Sequence, residues 1–225
     1  MSDDPPIRNA ATTILVRDMG GAPAVLMGQR GARAAFMPSM FVFPGGAVDD
    51  EDSRVGTGLT LSDRCISRLE QEPTSPIAPG ALAAAALREL WEETGLRLAR
   101  PGTWDGSVHG DWAGFARDNL LPDAEALVFC FRAITPRGRP RRFDARFFVG
   151  NAEALVDDPD DFSRASDELS HLQWIPIAEA KAFKLPFITQ VVLAEVAQNL
   201  PLKGAPKAVP FYDNRAEPGV FRYVT

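Results

Sequence analysis

Arg88, Glu89, Glu92 and Glu93 stand together in the run Arg88-Glu89-Leu90-Trp91-Glu92-Glu93-Thr94-Gly95-Leu96. Positions three and four apart share one face of a helix, so the three glutamates project side by side, an arrangement that like charges disfavour without a counter-ion. A divalent cation answers that charge. Hard carboxylate oxygens suit Mg²⁺ or Mn²⁺, and Mg²⁺ is typically held by a few carboxylates together with substrate phosphates. By itself a glutamate cluster on a helix is more often solvated surface, so the neighbouring elements have to decide between surface and site.

The element that must carry these residues is a helix. Pro79-Gly80 opens it, an alanine-rich stretch over 81–87 gives it high helix propensity, and Gly95 suits the left-handed position that closes it. Leu87, Leu90 and Trp91 turn away from much of the acidic face and toward a core. Upstream, residues 40–43 form a short apolar strand stopped by Pro44-Gly45-Gly46, where two glycines let backbone approach a ligand closely or turn sharply. Residues 47–80 differ from their surroundings. They are acidic at Asp49-Asp50-Glu51-Asp52 and proline-rich at Pro73, Pro76 and Pro79, and read as an insertion holding a short helix over 62–70 with Ser62 as its N-cap.

Earlier still, residues 12–17 and 22–30 read as a β-hairpin around Asp18-Met19-Gly20-Gly21, with residues 1–10 a loose tail. Downstream, residues 110–118 have a helical pattern, and 126–135 and 142–149 read as paired strands. Their turn carries Arg137, Arg139, Arg141 and Arg142, either a phosphate grip or a solvated hairpin tip. A loop at Asp157-Asp158-Pro159-Asp160-Asp161 and the segment through Glu168 lead to a strand over 172–176. Helices follow over 177–183 and 186–200, then a proline-punctuated tail over 201–225 that wraps the domain or a partner subunit. His109 and His171 read as surface or satisfied histidines, because neither has a metal-binding partner at ligand spacing.

The 225 residues fit a single domain over 1–225, with 45% hydrophobic and 24% charged residues. A net charge of -6 and a pI near 5.0 argue against bulk attraction to nucleic acid or an anionic membrane. An anionic substrate must then be met by a local metal or arginine cluster. Cys65 and Cys130 form no metal array or disulfide framework, the N-terminus has no signal-peptide pattern, and no apolar run spans a bilayer, so a cytoplasmic protein is expected.

The glycine pair and glutamate helix together resemble the signature of the Nudix hydrolases, G-x5-E-x7-R-E-U-x-E-E-x-G-U with U aliphatic. The second half matches at every defined position from Arg88 to Leu96. The first half supplies Gly45-Gly46, but counting back seven residues from Arg88 meets Gly80, not an acid, so the box is split by an insertion of about 28 residues relative to the motif. Glu51 and Asp52 both remain open as the first box acid. The split, with Gln29-Arg30, Phe36-Met37-Pro38-Ser39 and Val42-Phe43 before the glycines, resembles a subgroup that includes the peroxisomal coenzyme A diphosphatase of animals.

The resemblance implies an α/β/α sandwich around a mixed sheet, with a helical insertion inside the box. It also implies metal-dependent hydrolysis of the pyrophosphate bond in a nucleoside diphosphate derivative. Glu89, Glu92 and Glu93 would hold Mg²⁺ or Mn²⁺, Arg88 would fix a carboxylate, and Gly45 and Gly46 would bring a strand end to the metals. Arg30 and Arg142 are candidate phosphate binders. Glu168 is the candidate general base, with Glu51 in reserve. Coenzyme A or acyl-coenzyme A, giving 3′,5′-ADP and a phosphopantetheine, is the expected substrate. ADP-ribose, dinucleoside polyphosphates, oxidised nucleotides and a non-catalytic nucleotide sensor are the alternatives, and a homodimer is an open expectation.

Overall fold

The computed structural model describes residues 4–18, 21–108, 110–201 and 204–225. The chain begins with β1 (Ile7–Asp18) and β2 (Pro23–Arg30), followed by the short β3 (Phe41–Val42) and β4 (Gly45–Ala47). Three helices come next: α1 (Asp50–Gly56), α2 (Asp63–Leu69) and α3 (Pro79–Thr94). After β5 (Ala99–Pro101), α4 (Ala113–Arg117) and β6 (Leu120–Pro122) come β7 (Val128–Ile134), β8 (Arg142–Asn151) and β9 (Leu169–Pro176). The chain closes with α5 (Phe187–Gln198), β10 (Val209–Asp213) and β11 (Val220–Val224).

Among the described residues nine strands join one sheet in the order β11-β10-β7-β8-β1-β2-β3, with β4 also on β1 and β9 also on β2. The β1–β2 hairpin is antiparallel, with Val16 opposite Val25; its turn residues Met19 and Gly20 lie outside the described residues. β1 runs parallel to β8 from the Ile7–Arg142 pair to the Val16–Asn151 pair, while β7 and β8 are antiparallel, so the sheet is mixed. Alternation along the strands sorts the core into two layers. Ala11, Leu15, Leu26 and Phe148 pack under α3 with Leu82, Leu87 and Leu90, while Ile14, Val16, Met27, Phe131 and Val149 pack under α5 with Val192 and Val196. The result is the expected α/β/α sandwich. No helix among the described residues is long and apolar enough to cross a membrane.

The box helix lies flush on the sheet because its first turns are alanine. Ala81 to Ala86 are all buried, and the Thr13 hydroxyl donates to the Ala86 carbonyl at 2.8 Å. Gly95 closes the helix in the left-handed region at φ 74°, as its sequence position predicts.

Three segments differ from the sequence reading. Residues 7–10, expected in a tail, belong to β1, because β8 supplies a parallel partner that local alternation does not reveal. The acidic run after the glycines forms α1. Its acids sit in the first turn, where the helix dipole favours them, and the Asp52 carboxylate accepts from the Asp49 amide at 2.9 Å. The tail over 201–225 contributes β10 and β11, which extend the sheet beyond β7. Its prolines mask an alternation in which Val209, Phe211 and Val224 point inward.

The insertion is tied down at both ends of its path. α2 has Ser62 as its cap, accepting from Cys65. Arg68 donates to the Pro206 carbonyl at 2.8 Å, Arg132 to the carbonyls of Gln71 and Glu72 at 2.8 Å each, and Arg222 pairs with Glu72 at 2.6 Å. The insertion and the C-terminal hairpin therefore hold each other against the sheet.

Candidate functional site

Arg88 is the hub of the box. It is 3% exposed and its guanidinium grips Asp52 bidentately, Nε to Oδ1 and Nη2 to Oδ2 at 2.9 Å each. Its Nη1 donates to Glu89 Oε1 at 3.0 Å and Glu92 Oε2 at 3.1 Å, and Nη2 also donates to the Ala47 carbonyl at 3.0 Å. Burial opposes the charge on Arg88, but the Asp52 hydrogen bonds and the charges of Glu89 and Glu92 outweigh it and hold the group protonated. One side chain thus sets α1, β4 and two glutamates in register.

This pairing answers which acid completes the box. Residues 47–51 separate Gly46 from Asp52, the five-residue spacing of the motif's first half, so Asp52 stands where the pattern has glutamate. The insertion follows it. Gly56 at the end of α1 and Gly80 at the start of α3 touch backbone to backbone, with no room for a Cβ on either, so the chain leaves and re-enters the box at one pinch. Glu51, the other candidate, pairs with Arg54 at 3.7 Å.

The two glycines act directly on the glutamates. The Gly45 amide donates to Glu93 Oε2 at 2.8 Å, and a Cβ on Gly46 would collide with the Glu89 carboxylate. Glu93 is 1% exposed, and burial together with the charge of Glu89 pushes its carboxyl well above the usual range. Burial also raises Glu89, to about 7, against the opposing pull of Arg88. Burial raises Glu92 to about 8 against the pull of Arg88, and the neighbouring carboxylates of Asp111 and Glu89 push the same way as burial. Asp111 is a neighbour that no sequence spacing pointed to, because it comes from the turn before α4.

Arg30, at the end of β2, lies near enough to pull Glu93 back toward ionisation, and its Nε is buried without a partner. Glu168 is exposed, in the loop just before β9, and its negative charge pushes up both Glu89 and Glu93. Arg142 behaves differently. Rather than facing the glutamates it is a buried strut between strands, donating to the carbonyls of Thr135 at 3.1 Å and Asn214 at 2.9 Å. Its neighbours in sequence made it look like part of an exposed arginine turn, but parallel pairing with β1 draws it inside. His171 is exposed and meets Ser170 Oγ at 3.1 Å; His109 lies outside the described residues.

Among the described residues no three His, Cys, Asp or Glu side chains converge tightly enough to cage an ion in the present arrangement, since Arg88 holds one oxygen each of Glu89 and Glu92. The donor set nonetheless fits a hard cation. Glu92 Oε1 and Glu93 Oε1 are buried with no hydrogen-bond partner, and a buried carboxylate stays ionised only where a cation or hydrogen-bond donors satisfy it.

No family model matches the chain. A solved Nudix hydrolase from Alicyclobacillus acidocaldarius superimposes with a TM-score of 0.62 and 28% identity, covering 88% of this chain and 93% of that one. The chain has the Nudix fold. In sequence it is 31% identical to the acyl-coenzyme A diphosphatase NUDT19 of Gallus gallus, over 68% of this chain and 53% of that protein. It is 29% identical to a Caenorhabditis elegans protein described as nudix hydrolase 7, over 75% of this chain and 51% of that protein. The chain spans about half the length of these curated relatives. The split box and the fold point to the same family, Nudix.

Proposed function

We propose that the chain is a Nudix pyrophosphohydrolase that cleaves the diphosphate of coenzyme A or acyl-coenzyme A, releasing 3′,5′-ADP and a phosphopantetheine. The observation that carries the hydrolase reading is the pair of buried, unpartnered oxygens on Glu92 and Glu93 beside Glu89, on a helix that keeps every defined position of the second half of the box. Likeness to NUDT19 and the split box support the substrate class.

Glu89, Glu92 and Glu93 would hold Mg²⁺ or Mn²⁺. When bound, such an ion neutralises phosphate oxygens and acidifies water. The protein's own part is orientation and proton handling. Arg88 holds one oxygen each of Glu89 and Glu92, and the Gly45 amide holds one of Glu93, so each carboxylate has a fixed partner before substrate arrives. Arg30 is the cation at the edge of the cluster and the candidate partner of a phosphate oxygen. Glu168, exposed and beside the glutamates, is the candidate base that accepts the proton of the attacking water.

The test is a panel incubated with Mg²⁺ or Mn²⁺: coenzyme A, an acyl-coenzyme A, ADP-ribose, NADH, a diadenosine polyphosphate and oxidised nucleotides, with products separated by chromatography. Preferential release of 3′,5′-ADP from coenzyme A is the expected result. Preferential cleavage of another member reassigns the substrate, and cleavage of none would mean a nucleotide sensor.

A further inference from the structure

Residues 157–168 form the later part of the β8–β9 connection and end on Glu168. This loop is fastened to the box helix by side chains outside the catalytic cluster. Asp157, whose side chain is 5% exposed, accepts from two arginines: Arg97 at 2.9 and 3.1 Å, and Arg164 at 2.7 Å. Both guanidiniums lie over the ring of Trp91, 4.7 and 5.2 Å from its centroid. Trp91 occupies the undefined position of the box between Glu89 and Glu92, so the stack is built on the helix that presents the glutamates. Cation–π contact and ion pairing act on the same two arginines.

The backbone is seated as closely. The Ser166 amide donates to the Glu92 carbonyl at 2.8 Å, and a Cβ on Gly95 would come within 2.9 Å of Arg164 Cβ. At the other end of the loop Arg17 pairs with Asp160 at 2.8 Å, and the Trp174 indole donates to the Pro159 carbonyl at 3.0 Å. Arg97 is also bound to Asp118 at 2.6 Å and to the Gly114 carbonyl at 2.8 Å. Its loss would disturb packing well beyond the loop. Arg164 is different: its side chain is 33% exposed and its hydrogen bond goes to Asp157 alone. Without Arg164, Asp157 keeps Arg97, so the fold survives while the last stretch of loop before Glu168 loses a tether.

We propose that Arg164, clamped between Asp157 and the Trp91 ring, is a positioning residue that sets the loop, and through it Glu168, over the glutamate cluster. This rests on the reading of Glu168 as the base. Arg164 is two residues from Ser166 and four from Glu168, so a shift of its side chain passes along a short segment whose one backbone bond to the box helix is that of Ser166. Misplacing a catalytic group by about 1 Å costs on the order of 10²-fold in rate.

The experiment compares wild type, Arg164→Ala, Arg164→Lys, Glu168→Gln and the Arg164→Ala/Glu168→Gln double variant with coenzyme A and Mg²⁺, alongside amide exchange at Ser166. Arg164→Ala should lower kcat roughly ten- to hundredfold with KM changed little. Arg164→Lys should restore part of the loss, Ser166 exchange should accelerate in Arg164→Ala, and the double variant should be no slower than Glu168→Gln. The positioning role is overturned if Arg164→Ala keeps wild-type kcat, if its loss multiplies fully onto that of Glu168→Gln, or if Ser166 exchange is unchanged. Wild-type turnover in Glu168→Gln alone overturns the base assignment and the positioning role with it. Exchange at Ser166 needs neither substrate nor metal, so it tests the tether even if coenzyme A is not cleaved.

Discussion

Two buried arginine clusters border the insertion, and they are built in opposite senses. Around Arg88 acids are in excess: Asp52, Glu89 and Glu92 touch one guanidinium, Glu93 stands beside them, and two carboxylate oxygens have no partner. Around Asp144 arginines are in excess. Arg132 grips it at 2.7 and 2.8 Å, Arg146 lies at 3.1 Å, Thr74 donates to it at 2.9 Å, and the carbonyls of Gln71 and Glu72 accept two further Arg132 protons. Burial lowers Arg146 toward about 10, though Asp144 opposes it. Backbone oxygens from the insertion hold Arg132, which makes the second cluster a fastening, while Arg146 Nε and Nη2 are buried without a partner. The first is left short of positive charge, as the proposed cation site requires. Burial of charge alone does not distinguish the two; the sign of what is left unpaired does.

The largest test of this contrast is Glu93→Gln. Turnover should fall by about 10³-fold or more, while the thermal midpoint does not drop, because a neutral amide replaces a carboxyl that burial already holds against ionisation. Retained turnover would make both clusters structural. Next, Asp144→Ala leaves Arg132 and Arg146 without a counter-charge and should cost about 3–5 kcal/mol in a denaturant titration. The fraction still folded should turn over at close to the wild-type rate; a selective loss of kcat at full stability would place the second cluster in the chemistry.

Asp52→Asn should act on both properties at once. Weakening the Arg88 grip is expected to lower kcat by roughly 10- to 100-fold and stability by about 1–3 kcal/mol. An effect on stability alone would separate Asp52 from the box.

The smallest effect is in pH. Glu89 and Glu92, raised by burial to about 7 and about 8 from an ordinary 4.5, bind protons more tightly folded than unfolded in the metal-free protein. Their contribution to stability is therefore full below about 4.5 and is lost as pH rises through 7 to 8. A bound cation replaces those protons, so the rise in thermal midpoint on adding Mg²⁺ should be larger at pH 8.5 than at 5.5. An equal rise at both would sink the assignment of these carboxylates as ligands.

The sequence by itself determined the parts governed by short-range rules. Helical spacing placed Arg88, Glu89, Glu92 and Glu93 on one element, Gly95 ended it, the hairpin before Arg30 followed from alternation, and the box pattern named the family. The tertiary structure decided everything that depends on partners distant along the chain. Between Glu51 and Asp52, the bidentate grip of Arg88 across the whole insertion chose Asp52. Pairing with β1 and the carbonyls of Thr135 and Asn214 buried Arg142 as a strut, and Asp111 came beside Glu92 from an unrelated turn. β10 and β11 became strands because β7 offered an open edge, despite the prolines around them. A helix periodicity is written in neighbouring residues, whereas the partner of a buried charge or a sheet edge is set by what folding brings beside it.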